Sequence, residues 1–366
     1  MANVAAAQPS FWKKAVSGLK SLLPGVSHKI SEVYRRLNVA NLSHTFQLSE
    51  LIHIVSYLAD EAKVTSQLFV RRGALIKLNA ARETVVVGDL HGNAARLDAI
   101  LRKYGARLAA GEINLVFLGD AIHPENPNGL GEMRSSLQVL NTVIRLKQMF
   151  PEQVHFLLGN HDVIKSKDFQ MNEAKGGVPQ AIAFYFYLQD FLKQEGYSQD
   201  NISRYAAAYQ AFFDGCALAV IIEGGQGATY LSHAGIVRGG ITQAELVNAR
   251  NDASVFKQLL VNRHIEEKDL AEIVRVKPEK AERYYVIRDV LAMITKLGLR
   301  ASPSFTYFLT GHTPDEARGW AYQSFRGINH FIIHGNIPNQ FGAAVIRNGR
   351  PSFEAIVVDQ LTAAAA

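Results

Sequence analysis

Several short apolar segments of this sequence end in a glycine beside an aspartate, asparagine or histidine. Segment 84–87 runs into Gly88–Gly92 (GDLHG), and segment 113–118 runs into Gly119 and Asp120. Three later segments end similarly, in Gly159–Asp162 (GNHD), Ser232–Gly235 (SHAG) and Thr310–Pro314 (TGHTP). Layered α/β proteins collect ligand sites at the carboxyl ends of their strands, and glycine lets the chain turn sharply there. The pattern therefore predicts one polar site built from several loops.

The apolar segments alternate with helical ones, which predicts the fold class. Helices are expected at 94–103 and 133–149, between strands at 84–87, 113–118 and 154–158. Residues 46–80 are expected to be mostly helical. A further helical region is expected over 243–297, with strands predicted at 218–222, 229–231, 307–309, 331–333 and 344–346. Continuously apolar strands that alternate with helices indicate an α/β fold whose sheets are covered by helices.

The charge distribution divides the chain into an appendage and a body. Residues 1–45 carry six basic residues and one acidic residue, a net charge of +5, whereas the other 33 basic and 32 acidic residues nearly cancel. A nearly neutral body does not support nucleic-acid binding. We expect a basic N-terminal appendage at 1–45 and one domain at 46–360. Apolar residues near helical spacing in the appendage are typical of a short amphipathic helix that contacts an anionic membrane or a partner, packs on the domain, or acts as a delivery signal.

The single cysteine indicates whether the protein occupies a reducing or an oxidising compartment. Cys216 lies in an apolar run, so a buried structural thiol is expected, and a single cysteine excludes an internal disulfide. No apolar run reaches the roughly 18–20 residues of a membrane helix, and the N-terminus lacks the apolar stretch of a secretory signal. We therefore expect a soluble protein in a reducing, cytoplasmic-type compartment.

The side chains at the strand ends form a set suited to metal ions. Carboxylate, imidazole and carboxamide ligands without thiolate favour Mn²⁺, Fe or Zn²⁺, and one carboxylate can bridge two ions. The candidate residues are Asp89, His91, Asp120, Asn160, His161, His233 and His312.

In order and spacing, these motifs resemble the calcineurin-like metallophosphoesterases, and specifically the phosphoprotein phosphatase branch. The resemblance covers about residues 83–350. It implies a central β-sandwich flanked by helices, with the metal site at the C-terminal ends of strands. It also implies two divalent metal ions, with Mn²⁺ expected first and Fe or Zn²⁺ as alternatives.

The resemblance implies a role for each residue. Asp89 and His91 would hold the first metal, and Asp120 would bridge the two. His161 would be the general acid that protonates the leaving oxygen. The ligands of the second metal would be completed by Asn160, His233 and His312.

The second motif departs from the family pattern. Where the family has an aspartate and an arginine, this chain has His123 and Pro124. Three explanations are open: His123 orients His161 or contacts substrate, Glu125 replaces the missing aspartate, or activity is weakened. Arg263 resembles a phosphate-binding arginine of bacterial members, and a helix-surface residue is the alternative.

The resemblance implies a phosphomonoester hydrolase that acts on phosphoproteins (Ser/Thr or Tyr) by attack of a metal-bridging hydroxide. The alternatives are a symmetrical dinucleoside-tetraphosphate hydrolase and a non-catalytic phosphoprotein-binding module. The basic N-terminal segment is similar to bacterial effector phosphatases of the Wip type, which implies delivery into a host cell.

Overall fold

The computed structural model describes residues 37–61, 65–124, 133–164, 174–175, 178–299, 301, 303–313, 322–323, 329–333 and 340–357. Within these residues the strands are β1 (Phe69–Arg72), β2 (Leu75–Asn79), β3 (Glu83–Val87), β4 (Ile113–Phe117), β5 (Val154–Phe156), β6 (Ala174–Lys175), β7 (Val178–Pro179), β8 (Ala219–Gly224), β9 (Gly227–Ser232), β10 (Arg263–His264), β11 (Tyr284–Tyr285), β12 (Thr306–Thr310), β13 (Tyr322–Gln323), β14 (Asn329–Ile332), β15 (Gln340–Arg347) and β16 (Arg350–Val357).

The helices of the described residues cover the outer faces of the sheets. They are α1 (Val39–Leu42), α2 (Leu48–Glu61), α3 (Ala94–Ala109), α4 (Arg134–Met149), α5 (Gln180–Gln194), α6 (Gln199–Gly215), α7 (Gln243–Val247), α8 (Ala253–Val261), α9 (Glu267–Val276) and α10 (Ile287–Leu297). Short 3₁₀ helices lie at Ala249–Asn251, Pro278–Arg283 and Pro303–Phe305.

Two sheets form the centre of the described fold. One has seven strands in the order β1-β2-β8-β9-β12-β14-β13, and the other has five in the order β16-β15-β3-β4-β5. Strands β3, β4 and β5 are parallel, and so are β9 and β12. The carboxyl ends of parallel neighbours meet at one edge of a sheet, so the loops after these five strands can converge.

The two sheets pack face to face through apolar side chains. In β3, Val86 joins a buried cluster with Val220 and Leu309 of the other sheet. Its neighbours Val85 and Val87 point to the opposite face and join the cluster that includes the helices. This alternation follows from the two-residue period of a strand and places one apolar layer on each side of the sheet. The predicted α/β fold with a central β-sandwich flanked by helices is confirmed.

The helical prediction for residues 46–80 is correct for α2 and wrong beyond it. Residues 69–79 form the hairpin β1–β2, in which Arg72 lies opposite Leu75. Gly73 turns the chain with a φ of +53°, and a Cβ added there would lie 2.3 Å from the carbonyl oxygen of Val247. The positive φ explains the error, because only glycine adopts that conformation freely and it interrupts any helix.

The C-terminal part has more strand than expected. The predicted strand at 344–346 is the middle of β15, which forms a long antiparallel hairpin with β16. The predicted helical region at 243–297 is interrupted by β10 and β11, which pair in parallel. The pairing of β10 with β11 was not predicted because strands of two residues are too short to show a local apolar periodicity.

Residues 37–45 pack on the body of the protein. Leu37, Val39 and Leu42 are buried in the main core, and the backbone N–H of Val39 donates to Asp98 Oδ1 at 2.9 Å. Residues 1–36 of the expected appendage lie outside the described residues. The domain boundary at 45–46 stays a prediction.

Cys216 is buried, as expected of a structural thiol. Its Sγ donates to the carbonyl oxygen of Phe212 at 3.2 Å, and burial raises its pKa to about 12. None of the described helices is long and apolar enough to span a bilayer.

Candidate metal centre

The loops after five strands bring the predicted ligands together. Two groups of side chains each place their ligand atoms within 4.8 Å of one another. The first group contains Asp89, His91 and Asp120, and the second contains Asp120, His233 and His312. Asp120 belongs to both groups, which is the arrangement expected of a carboxylate that can bridge two ions.

Backbone strain is concentrated in these loops. Of the five non-glycine residues with positive φ among those described, four lie here: His91 (+46°), Asp120 (+51°), His123 (+67°) and His312 (+62°). Such conformations are uncommon for residues with a Cβ and persist where the surrounding structure holds them. The loops are therefore held in place by their contacts with one another.

Two glycines allow the loops to approach so closely. A Cβ at Gly159 would lie 2.1 Å from Asp120 Oδ1, and a Cβ at Gly311 would lie 2.1 Å from Asp89 Oδ1. Any larger residue would displace one of the two carboxylates. The glycines beside the ligands thus serve close packing between loops as well as turning of the chain.

Backbone carbonyls fix the orientation of two histidines. The Nδ1–H of His91 donates to the carbonyl oxygen of His123 at 2.8 Å, and that of His233 donates to Leu118 at 3.0 Å. In both rings Nε2 then faces Asp120 Oδ2, at 3.7 Å from His91 and 3.5 Å from His233. Ligating histidines are usually oriented by a second hydrogen bond of this kind, and it leaves Nε2 with a lone pair for a metal.

The Asp120 carboxylate supports the fit of a cation to this site. Its Oδ2 atom is buried and has no hydrogen-bond partner among the described residues. Burial by itself raises the pKa of Asp120, but nearby histidines, His233 foremost, outweigh burial and hold the pKa below its ordinary value. A buried, ionised oxygen without a hydrogen bond is costly, and a divalent cation between the imidazoles would offset that cost. The residues present therefore fit divalent metal ions.

The remaining predicted ligands lie in the same place. Asn160 Oδ1 is 2.9 Å from His233 Nε2, and the Asn160 side chain is buried. Burial lowers the pKa of His312, and the charges of His233 and Arg263 lower it further, which favours the neutral ring that a metal requires. The carboxylate of Asp89 accepts from the backbone N–H of His312, at 3.0 Å to Oδ2.

His161 lies at the rim of this cluster and is 7% exposed. Its backbone N–H donates to Asp120 Oδ1 at 2.8 Å, and its ring meets the His91 ring edge to face with centroids 5.2 Å apart. The side-chain Nδ1 of His161 is hydrogen-bonded to the side-chain oxygen of Gln180. An acid that delivers a proton to substrate needs such a position, partly accessible and close to the metal ligands.

His123 is fully buried beside His161. Its Nε2 lies 3.2 Å from the carbonyl oxygen of Val163, and its ring meets the edge of Phe184 at 5.9 Å between centroids. The centroids of the His123 and His161 rings are 6.2 Å apart. A catalytic role for His123 stays a prediction. Glu125, the alternative orienting residue, lies outside the described residues.

Arg263 is brought to the site by β10. Its side chain is exposed, and its Nε donates to His312 Nε2 at 3.2 Å. A guanidinium beside the metal ligands and open to solvent can bind phosphate oxygens with two N–H groups at once. Arg263 therefore lies next to the candidate metal ligands, and its phosphate-binding role stays a prediction.

The motif reasoning missed two buried residues. Asp162 accepts backbone N–H bonds from Asp120 (2.7 Å), Ala121 (2.8 Å) and Gly159 (2.9 Å). Its place as the last residue of the GNHD motif was a signal for a role. Gln180, the first residue of α5, had no comparable signal, because it belongs to no motif.

Comparison with known proteins identifies the family. The calcineurin-like phosphoesterase family matches residues 83–316, which contain all of the candidate metal ligands. The chain belongs to the calcineurin-like phosphoesterase family. Membership of this family supports assignment to the metal-dependent phosphatases.

Individual relatives are distant from this member of the family. A protein serine/threonine phosphatase from Saccharomyces cerevisiae with similarity to human phosphatase PP5 superposes with a TM-score of 0.54 at 15% identity, covering 86% of this chain and 91% of that one. Serine/threonine-protein phosphatase BSL2 from Arabidopsis thaliana is 27% identical over 108 residues, which are 29% of this chain. This match spans only 10% of the length of BSL2.

Proposed function

We propose that this chain is a two-metal phosphomonoester hydrolase that acts on phosphoproteins, with phosphoserine and phosphothreonine as the first candidates. The observation that carries the proposal is Asp120, whose carboxylate belongs to both ligand groups. The two relatives reported above are serine/threonine phosphatases, which supports the phosphoprotein phosphatase branch and this choice of substrate.

The metal assignment follows from the ligand chemistry. Asp89 and His91 would hold one ion, Asp120 would be shared, and Asn160, His233 and His312 would hold the other. Oxygen and imidazole ligands without thiolate suit Mn²⁺, Fe or Zn²⁺, and the resemblance to the phosphoprotein phosphatases makes Mn²⁺ the first candidate. Two divalent ions held here would activate water as the nucleophile and neutralise charge on the phosphoryl oxygens.

The protein's own groups would supply orientation and a proton. The guanidinium of Arg263 would bind the phosphoryl oxygens and hold the phosphorus in line with the attacking oxygen. His161 would donate a proton to the leaving oxygen as the P–O bond breaks, so that serine or threonine leaves as a neutral alcohol. Asp162 would hold the backbone of Asp120 in place throughout.

The proposal also includes the role of the N-terminal segment and the cellular location of the protein. Contact of the basic segment 1–45 with a membrane or partner, a reducing compartment and delivery into a host cell are each supported only by the sequence. The charge pattern and the single cysteine are the observations behind them.

The experiment that tests this function is hydrolysis by metal-stripped protein with and without added Mn²⁺. Substrates are matched phosphoserine, phosphothreonine and phosphotyrosine peptides and a dinucleoside tetraphosphate. We expect Mn²⁺-dependent release of phosphate from the first two peptides and a loss of about 10²-fold or more in His161→Ala. Cleavage of the dinucleotide alone would favour the tetraphosphate hydrolase. Metal binding without any turnover would favour the phosphoprotein-binding module.

A further inference from the structure

We propose that Gln180 is the positioning residue for the acid His161, holding the ring by a hydrogen bond from its Nδ1–H. The inference rests on the proposed function, in which His161 protonates the leaving oxygen. Gln180 Oε1 and His161 Nδ1 are hydrogen-bonded, and the Gln180 side chain is 1% exposed. The contact is shielded from water, so it is not exchanged for solvent and can fix the ring plane.

The start of α5 provides a rigid support for this contact. Gln180 is the first residue of the helix, and Ala181 and Phe184, in its first two turns, are buried. Phe184 belongs to the main core and meets the His123 ring edge on. A side chain on an anchored helix end loses little further freedom when it holds a catalytic group, which makes it an effective positioning device.

His123 is engaged with other atoms. Its Nε2 lies beside the carbonyl oxygen of Val163, and its backbone carbonyl accepts from His91. Those contacts link His123 to a metal ligand and to the chain after His161, whereas the His161 ring nitrogen is held by Gln180. The second motif has His123 where the family has an aspartate, so that carboxylate is missing. The side-chain oxygen of Gln180 supplies the hydrogen-bond acceptor for His161 instead.

A neutral partner suits the electrostatics of the site. Asp89, Asp120 and Asp162 already place three buried carboxyl groups there. An amide oxygen accepts the Nδ1–H without adding charge.

The hydrogen bond between His161 and Gln180 determines which ring nitrogen of His161 can give up a proton. The Nδ1–H of His161 stays with Gln180 Oε1, and Nε2 is left as the nitrogen that carries the transferred proton. In the step itself, the N–H bond at Nε2 breaks, an O–H bond forms on the leaving oxygen, and the P–O bond electrons remain on that oxygen. Gln180 changes neither its charge nor its protonation.

Two substitutions at Gln180 separate positioning from packing. Gln180→Met keeps the length of the side chain and removes the acceptor, while Gln180→Glu restores one. Each is assayed, with Mn²⁺ supplied, on a phosphoserine peptide, whose leaving group needs a proton, and on 2,4-dinitrophenyl phosphate, whose leaving group does not. We expect Gln180→Met to lower kcat on the peptide by about 10- to 100-fold and on the aryl ester by less than about threefold. Gln180→Glu should restore most of the loss.

Two controls make the comparison specific. Gln189→Met lies on the same helix at a half-buried site and should leave both substrates unaffected. In a His161→Ala background, Gln180→Met should cause no additional loss, because the group that it positions is gone. Equal losses on both substrates, or an additional loss without His161, would overturn the proposal and indicate a purely structural role.

The ring tautomer of His161 tests the contact without any assay. Side-chain ¹⁵N NMR of the unaltered protein at alkaline pH should show the Nδ1–H form of this ring, and Gln180→Met should abolish that preference. An Nε2–H tautomer in the unaltered protein would overturn the proposal, and this measurement also decides the question if Gln180→Met does not fold. If the unaltered protein hydrolysed no substrate, the proposed function would fail while the tautomer still decided the role of Gln180.

Discussion

The carboxylate of Asp162 holds the backbone of Asp120, the residue shared by the two ligand groups. Asp162 Oδ2 accepts from the N–H of Asp120 at 2.7 Å, and its second oxygen accepts from the next N–H, at Ala121. A third bond, from Gly159, ties in the loop that carries Asn160. One buried side chain thus fixes two of the loops that carry metal ligands.

Asp162→Asn is expected to loosen both loops. The amide offers one acceptor oxygen, and its NH₂ group would face a backbone N–H. The free energy of unfolding of the metal-stripped protein should fall by about 2–3 kcal/mol, the range for hydrogen bonds to a charged group, and Mn²⁺ affinity should fall with it. Urea unfolding and metal titration measure both quantities. Asp190→Asn, at an exposed position on α5, is the control, and equal values for the two variants would contradict this role.

Gly311→Ala is expected to disturb the first metal position. The added Cβ would lie 2.1 Å from Asp89 Oδ1, so the carboxylate must move. Mn²⁺ affinity should fall by at least about tenfold, as for changes next to a metal ligand. Gly105→Ala is the matched control, because its Cβ would only touch Leu37 at 3.4 Å inside α3. That control should bind Mn²⁺ normally and gain about 0.5–1 kcal/mol in stability. Normal Mn²⁺ affinity in Gly311→Ala would show that the close approach is not required.

Arg263→Ala is expected to weaken the binding of phosphate. Loss of a bidentate, charge-assisted contact of about 2–3 kcal/mol corresponds to a kcat/KM on a phosphopeptide that is about 30- to 160-fold lower. Mn²⁺ affinity should fall less than kcat/KM does, because Arg263 is not itself a ligand and only donates to the ligand His312. Steady-state kinetics measure the effect, and Arg275→Ala, on the exposed side of α9, is the control. A kcat/KM equal to that of the control would leave Arg263 as a surface residue.

His330 is expected to contribute to loss of stability in acid. Burial lowers its pKa to about 3, so the folded protein keeps this ring neutral while the unfolded chain protonates it below about pH 6.5. The unfolded state therefore binds more protons, and stability falls as pH decreases from about 6.5 toward 3. His330→Gln should reduce the slope of unfolding free energy against pH by up to about 1.4 kcal/mol per pH unit near pH 5. Unfolding in urea at several pH values measures the slope, and an unchanged slope would contradict the assignment.

Much of the site could be predicted from sequence because its ligands follow buried strands. Asp89, Asp120 and Asn160 each come directly after an apolar segment, and parallel pairing of β3, β4 and β5 brings those segment ends to one edge. The convergence of these ligands therefore follows from the strand order alone and does not depend on the conformation of the loops. A continuously apolar strand likewise predicts an apolar layer on each face of the sheet. The alternation of Val85, Val86 and Val87 between two buried clusters agrees with this.

The residues that the sequence did not predict are those positioned by distant contacts. Gln180 is 19 residues from His161, and nothing in the local pattern at the start of α5 marks it as a partner of that ring. The hairpin β1–β2 was missed because its apolar residues fit a helix and only Gly73 marks the turn. Packing of Leu37 and Val39 on the domain agrees with one of the alternatives left open for residues 1–45, and the sequence alone did not select it.

Two metal ions that share Asp120 as a ligand require two binding sites per chain, and the number of Mn²⁺ ions bound measures this directly. Metal-stripped protein is titrated with Mn²⁺ and compared with Asp120→Asn, which keeps the shape of the side chain and removes its charge. We expect two ions per chain in the unaltered protein and weaker binding of both in the variant, since each group loses the same ligand. One ion per chain, or two ions bound equally well by Asp120→Asn, would contradict the account.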